Sequence, residues 1–151
     1  MTMNDFDNLM SMGMDSVEDL PPTGIPPTGH YNLSVTATRE SKEGGNDFIK
    51  FVYRVTAINE VKNPDETAQV AVGMEFVDFF SPLKKDGTVN EWGMKFLKAA
   101  VTPYAQHFGA TSFDGAIAAI KDVTIAATLV RTVDRQDTDK FKMRLNDVVI
   151  L

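Results

Sequence analysis

The sequence predicts a mainly β protein: a small five-stranded barrel with a helical insert between its third and fourth strands. Three observations carry that reading. Apolar and polar residues alternate in short runs, and turns rich in glycine, proline and charge separate the runs. One long stretch, residues 91–109, abandons the two-residue period for helical spacing. That stretch follows three strand-like runs and precedes two more.

The first twenty residues, MTMNDFDNLMSMGMDSVEDL, mix Met, Asp and Ser with scattered apolar side chains, and PPTGIPPTG follows as a stiff, extended linker. Residues 1–28 are thus expected to be an acidic, Met-rich tail with a Pro-rich linker, and residues 29–151 the folded domain. YNLSVTAT places Tyr31, Leu33, Val35 and Ala37 on one face of the first strand. RESKEGGND is a polar turn, and FIKFVYRVTAI is the second strand of a long hairpin over residues 30–58. NEVKNPDETAQ reads as a loop, VAVGMEFVDFF as the third strand, and SPLKKDG as the turn that closes it. In EWGMKFLKAAVTPYAQHFG, Trp92, Phe96, Ala99 and Ala100 recur at helical intervals. Gly109 is placed to stop that helix, and Pro103 is expected to kink or split it. SFDGAIAAIKD is a second short helix capped by Ser112. VTIAATLVR and DKFKMRLNDVVIL are the last two strands, joined by the loop TVDRQDTD.

Composition removes several function classes. The chain has 151 residues, enough for one domain with a substantial core, and no cysteine, so no disulfide framework, thiolate site or cysteine nucleophile is expected. No segment has the length of a membrane-spanning helix, and no basic residue precedes Arg39, so neither a membrane partner nor a signal peptide is expected. A cytoplasmic location is expected. His30 and His107 stand far apart without ligand-spaced partners, and no phosphate-cradling, nucleophile-elbow or zinc-protease motif occurs. Asp134, Asp137 and Asp139 share one polar loop whose spacing matches no cation-binding motif. The expectation is therefore a protein that is not an enzyme and carries no metal or cofactor.

The formal charge of -6 is unevenly distributed. Asp5, Asp7, Asp15, Glu18 and Asp19 give the first twenty residues -5 with no Lys or Arg, which leaves -1 for the rest. Within that near-neutral body, Phe48, Lys50 and Arg54 fall on one face of the second strand, opposite Ile49, Phe51, Tyr53 and Val55. Arg39 and Lys42 precede them. The last hairpin repeats the arrangement, with Arg131 and Arg135 before Lys140, Lys142 and Arg144, around Phe141 and Met143. Phe79 and Phe80 are adjacent, so one of them must leave the core as a candidate stacking platform; Phe79 stands in the candidate set. Trp92, Phe96, Tyr104 and Phe108 are assigned to the core or its edge, and Lys84 and Lys85 carry little weight as a turn pair. Cations that neutralise phosphates, beside aromatics on which bases stack, are what single-stranded nucleic acid requires.

The layout resembles an OB-fold, a five-stranded Greek-key barrel whose binding face centres on strands two and three and on the loops of the first and last hairpins. Over residues 28–151 the chain also resembles the small single-stranded DNA-binding proteins of bacteriophages. The segments that carry the likeness are TGHYNL, SKEGGNDFIKFVYRV, KFLKAAVTPYAQHFG and DVTIAATL. The resemblance implies backbone contacts by Lys50 and Arg54, loop contacts by Lys42, Arg131 and Lys142, and a role in replication, recombination or repair. It allows a homo-oligomer. Relatives of that kind often end in an acidic tail that recruits partner enzymes, whereas here NDVVIL reads as a strand and the acids lie at the amino-terminal end. The amino-terminal tail is expected to act either on replication or recombination proteins or on the protein's own cationic groove, where its acids would mimic nucleic acid. The rival reading is an interaction or virion-assembly module whose exposed face binds protein, because this fold hosts many functions.

Overall fold

The computed structural model describes residues 5–16, 20 and 22–151; Glu18 and Asp19, two acids assigned to the tail, lie outside the described residues. Five strands, β1 (Gly29–Glu40), β2 (Phe48–Val61), β3 (Glu75–Phe80), β4 (Val123–Val133) and β5 (Phe141–Ile150), form one antiparallel sheet. Their order is β3-β2-β1-β4-β5, so β3 and β5 are its edges. The sheet curls into a half-barrel around two helices that lie between β3 and β4 in sequence, α2 (Glu91–Phe108) and α3 (Phe113–Ala119). A short helix, α1 (Asp5–Met10), precedes them in the tail.

Alternation along β1 and β2 builds the core. Tyr31, Leu33, Val35 and Ala37 from β1 meet Ile49, Phe51, Tyr53 and Val55 from β2, all buried, with Ile125, Ala127 and Leu129 from β4. Leu97, Val101 and Tyr104 of α2 and Ala116 of α3 close this layer from the concave side, with Ile120 just past α3. Phe51 is fully buried, edge-on to Phe80 with ring centroids 5.2 Å apart. Gly109 ends α2 in the left-handed region, and the Ser112 hydroxyl accepts from the Gly115 amide as the cap of α3.

Four elements differ from expectation. The third strand is shorter than residues 70–80, because Gly73 turns the chain at φ 94° before Glu75 begins the ladder. Pro103 does not split α2, which runs unbroken through it. The Thr102 hydroxyl donates to the Lys98 carbonyl at 2.6 Å within the same turn. Of the four aromatics assigned to the core or its edge only Tyr104 is buried; Trp92, Phe96 and Phe108 are exposed. Finally, the packed body begins at Ile25, inside the expected linker. Pro26 is fully buried, and the Tyr31 hydroxyl donates to the Pro27 carbonyl at 2.6 Å. Burial pushes that phenol up to about 12, so it remains a donor at neutral pH.

Arg131 holds this amino-terminal anchor. It donates to the Ile25 carbonyl (3.2 Å), to Gln69 Oε1 (2.9 Å) and to Glu66 Oε2 (2.6 Å), and its guanidinium carbon lies 4.2 Å above the centre of the Phe141 ring. Arg131→Ala should lower stability by about 1.5–3 kcal/mol, the range for a charged hydrogen bond whose partner stays behind. Phe51→Ala should cost about 3–5 kcal/mol through the cavity it leaves. Urea titration of each variant checks both values, and Lys50→Ala, on the exposed face, should shift the midpoint little.

Candidate nucleic-acid interface

The outward face of the sheet is set by the same alternation. β2 presents Phe48, Lys50, Val52 and Arg54, and β3, paired beside it, presents Glu75, Val77 and Phe79. Lys50 lies directly across from Phe79, and Arg54 from Glu75. The Phe48 and Phe79 rings meet edge to face, with centroids 5.7 Å apart and planes at 67°. Phe79 is 55% exposed, while its neighbour Phe80 turns inward onto Phe51.

This aromatic pair forms one wall of a groove of about 880 Å³ between the β1–β2 turn and the segment that follows β3. Lys42 lines it from the first side, and Lys85 from the second. Asn46 fixes the two segments together by donating to the Lys84 carbonyl at 2.7 Å. Among the described residues Lys42, Lys50, Arg54 and Lys85 have no ion-pair partner within 4.0 Å. Carboxylates nearby are Glu43, Asp47, Glu40 and Glu75; Asp47 is held by Arg39 at 2.8 Å, and Glu40 accepts from the Thr38 hydroxyl.

A second cationic row lies on the same face. Lys142 and Arg144 of β5 pair outward across from Thr132 and Val130 of β4. Two strands separate this row from Lys50 and Arg54, a distance of roughly 14 Å at ordinary strand spacing. The intervening outward positions are small and uncharged: Asn32, Ser34, Thr36 and Thr38 on β1, Thr124, Ala126 and Thr128 on β4. The face is therefore a polar trough between two cationic margins, with one carboxylate set into it, that of Asp122, which accepts from the Ser34 hydroxyl at 2.6 Å.

The remaining candidates lie elsewhere. Arg131, expected to contact the ligand from the last hairpin, points to the other side and has a side chain only 9% exposed, held by Glu66. Its inward register across from Met143 explains the difference. Arg39 has the inward register of β1 as well, and leans with Asp47 toward α3. Arg135 and Lys140 occupy the β4–β5 turn, which follows Val133, beyond the Gly29 end of β1; the β1–β2 turn follows its Glu40 end. Lys140 lies 3.7 Å from Asp137, and Lys142 3.9 Å from Asp134, both too exposed to contribute much stability. Sequence reasoning gave Lys85 little weight. The signal available was its position a few residues after Phe79, which places it beside any platform that Phe79 makes.

Between the edge strands β3 and β5 runs a further groove of about 850 Å³, with α2 along its floor. Asp78 projects into it from the inward side of β3, beside Tyr53, Tyr104 and Arg144. Burial raises its carboxyl above the ordinary aspartate value, against the lowering effect of the Phe79 amide. The native state thus keeps a proton that the unfolded chain has already released, and stability falls as pH rises from the unfolded value through the raised one. Asp78→Asn removes that loss. Its melting temperature should exceed that of the parent at pH 7 and match it near about pH 3, where both carboxyls are protonated; calorimetry at the two pH values checks the pattern.

Compared with known proteins, the chain matches no family model, no curated protein and no solved structure.

Proposed function

We propose that the chain is a non-catalytic OB-type barrel, left open between β3 and β5, that binds single-stranded DNA with little base preference. The observation that carries this reading is the groove at the end of β2 and β3. There Phe48 and Phe79 lie beside Lys42, Lys50 and Lys85, none of which has a carboxylate within ion-pair distance among the described residues. Exposed aromatic rings offer a stacking surface to any base, and lysines offer point charges to the phosphates on either side. A duplex hides its base faces, so such a surface favours strands that are already unpaired. The strand order supports the OB-type reading: β1 pairs with both β2 and β4, as in that barrel, and the closing contact would join β3 to β5. In this reading a bound strand starts in the Phe48–Phe79 groove and crosses the trough toward Lys142 and Arg144.

Fluorescence titration with an oligo(dT) of roughly 30 nucleotides, set against duplex of equal length, tests the proposal. With three to five phosphate contacts the log–log salt slope should be about -2 to -3.5. Phe79→Ala and Phe48→Ala should each weaken binding by about 1–3 kcal/mol, the value of one stacked base. Lys50→Ala and Arg54→Ala should flatten the salt slope and leave the melting temperature almost unchanged. Equal affinity for duplex, or no binding at low salt, rejects the reading.

A further inference from the structure

Two apolar surfaces stand exposed among the described residues, and they match. The first is on α1, where Phe6, Leu9 and Met10 share one helical side at i, i+3 and i+4, and Phe6 is 66% exposed. Among the described residues α1 touches no other helix or strand. A six-residue helix is too short to hold its shape alone, so a docked state is where it gains stability. Asp5, Asp7 and Asp15 accompany this surface, and the first twenty residues hold no Lys or Arg.

The second surface is on the start of α2. Trp92 and Phe96 are 68% and 61% exposed, with rings 6.2 Å apart, and Ala99 and Pro103 continue the same stripe along the groove between β3 and β5. Lys95 Nζ stands 4.7 Å above the indole, and Lys98 flanks the stripe one turn on. Arg144 stands at the β5 rim of the groove; Asp78 and Asp147 line it as well, and Glu91 precedes Trp92. An amphipathic acidic helix and the Trp92–Phe96 pair, with Lys95 over its indole and Lys98 one turn on, are complementary in apolar character and in charge.

We propose that α1 of one copy docks on the Trp92–Phe96 surface of a second copy, so that the protein associates head to tail. Reach argues for a second copy. The tail leaves the body at Ile25, which Arg131 holds beside the Gly29 end of β1. Trp92 begins a helix packed against Ser81, next to the opposite end, where Ile49 pairs with Phe80 and Arg39. Twelve residues of β1 separate the two ends, roughly 40 Å of strand. Residues 11–24 span at most about 50 Å when fully extended, and the turn at Met14–Ser16 shortens them. A chain has almost no slack for its own groove, whereas a neighbour stacked end to end presents its groove at the point of exit. The contact joins two different surfaces, so copies can exchange helices reciprocally in a pair or link onward into a ring or row.

The test needs no nucleic acid, which separates its outcome from the DNA-binding reading. Sedimentation of the full chain at low salt should show the average mass rising above 16.7 kDa with concentration. Trp92 is the single tryptophan, and its emission should shift to shorter wavelength over the same range as its ring is covered. Phe6→Ser with Leu9→Ser should weaken association by about tenfold or more at unchanged melting temperature, since among the described residues α1 touches no other helix or strand. Lys95→Glu should weaken it too, and Asp5→Lys in the same chain should restore it. A monomer at every concentration, association undiminished by the Phe6 and Leu9 changes, or a Trp92 shift independent of concentration overturns the proposal. Quenching of Trp92 by oligo(dT) without self-association also overturns it and assigns the surface to nucleic acid.

Discussion

The register in which β1 pairs with β2 decides what the whole molecule shows to solvent. With Ala37 opposite Phe51 and Thr38 opposite Lys50, Ile49, Phe51, Tyr53 and Val55 go inward, and Lys50 and Arg54 go outward with Phe48 and Val52. A slip of one residue would exchange the faces, burying Lys50 and Arg54 and exposing Phe51 and Tyr53. Two unpaired buried cations cost far more than the hairpin gains, so the core itself enforces the register. The turn contributes as well: Gly44 takes φ 72°, which an L side chain resists, and Arg39 closes on Asp47 across the hairpin. The ring contacts of Tyr53 with Phe76 and of Phe51 with Phe80 then carry the same register into β3. Phe79 faces outward because Phe80 has been fixed inward.

Features that depend on nearest neighbours in sequence were legible. The alternation of β1 and β2, the cap at Ser112 and the stop at Gly109 each follow from local chemistry, and the structure has them where the pattern places them. Features that depend on contacts across the fold were not. Arg131 lies in a strand beside other cations, and only the approach of Glu66 and the Ile25 carbonyl, 65 and 106 residues away, makes it an anchor. Trp92 and Phe96 have the spacing of a core stripe, but α2 buries the side carrying Leu97, Val101 and Tyr104. Helical periodicity finds a stripe without saying which stripe meets the sheet. The groove at Lys85 needed two loops, 38 residues apart, to be joined by the Asn46 bond.

Charge shows the same division. A chain at -6 looks unsuited to a polyanion, yet most of that charge sits in the tail, and among the described residues Lys42, Lys50 and Lys85 stand clear of carboxylate partners, while Lys142 has Asp134 at 3.9 Å. Arg131 and Lys50 are equal entries in a composition and opposites in the structure. The first is desolvated, fixed by a carboxylate and two other acceptors, and cannot reach a ligand without dismantling the anchor. The second stands beside an exposed ring with its charge uncompensated by any carboxylate within 4.0 Å among the described residues. Local arrangement, not net charge, determines which cations a phosphate can approach.

The open seam between β3 and β5 raises the question of why its edges do not pair with other chains. Three features blunt them. β3 is only six residues long, so it offers few ladder bonds. Asp78 points inward from the middle of β3, and a strand added there would cover a carboxyl that burial already disfavours in its charged form. β5 breaks its regular pairing between Ala126 and Thr128, opposite Asp147 at φ 54°, which twists the edge away from a straight ladder. The seam is thus protected as a backbone edge, and α2 occupies the space between its two sides. What the protection does not cover is the aromatic stripe of α2 above it. The Trp92 and Phe96 rings meet each other and still stand 68% and 61% exposed, so their exposure is a property of side chains alone, and only a side-chain partner answers it.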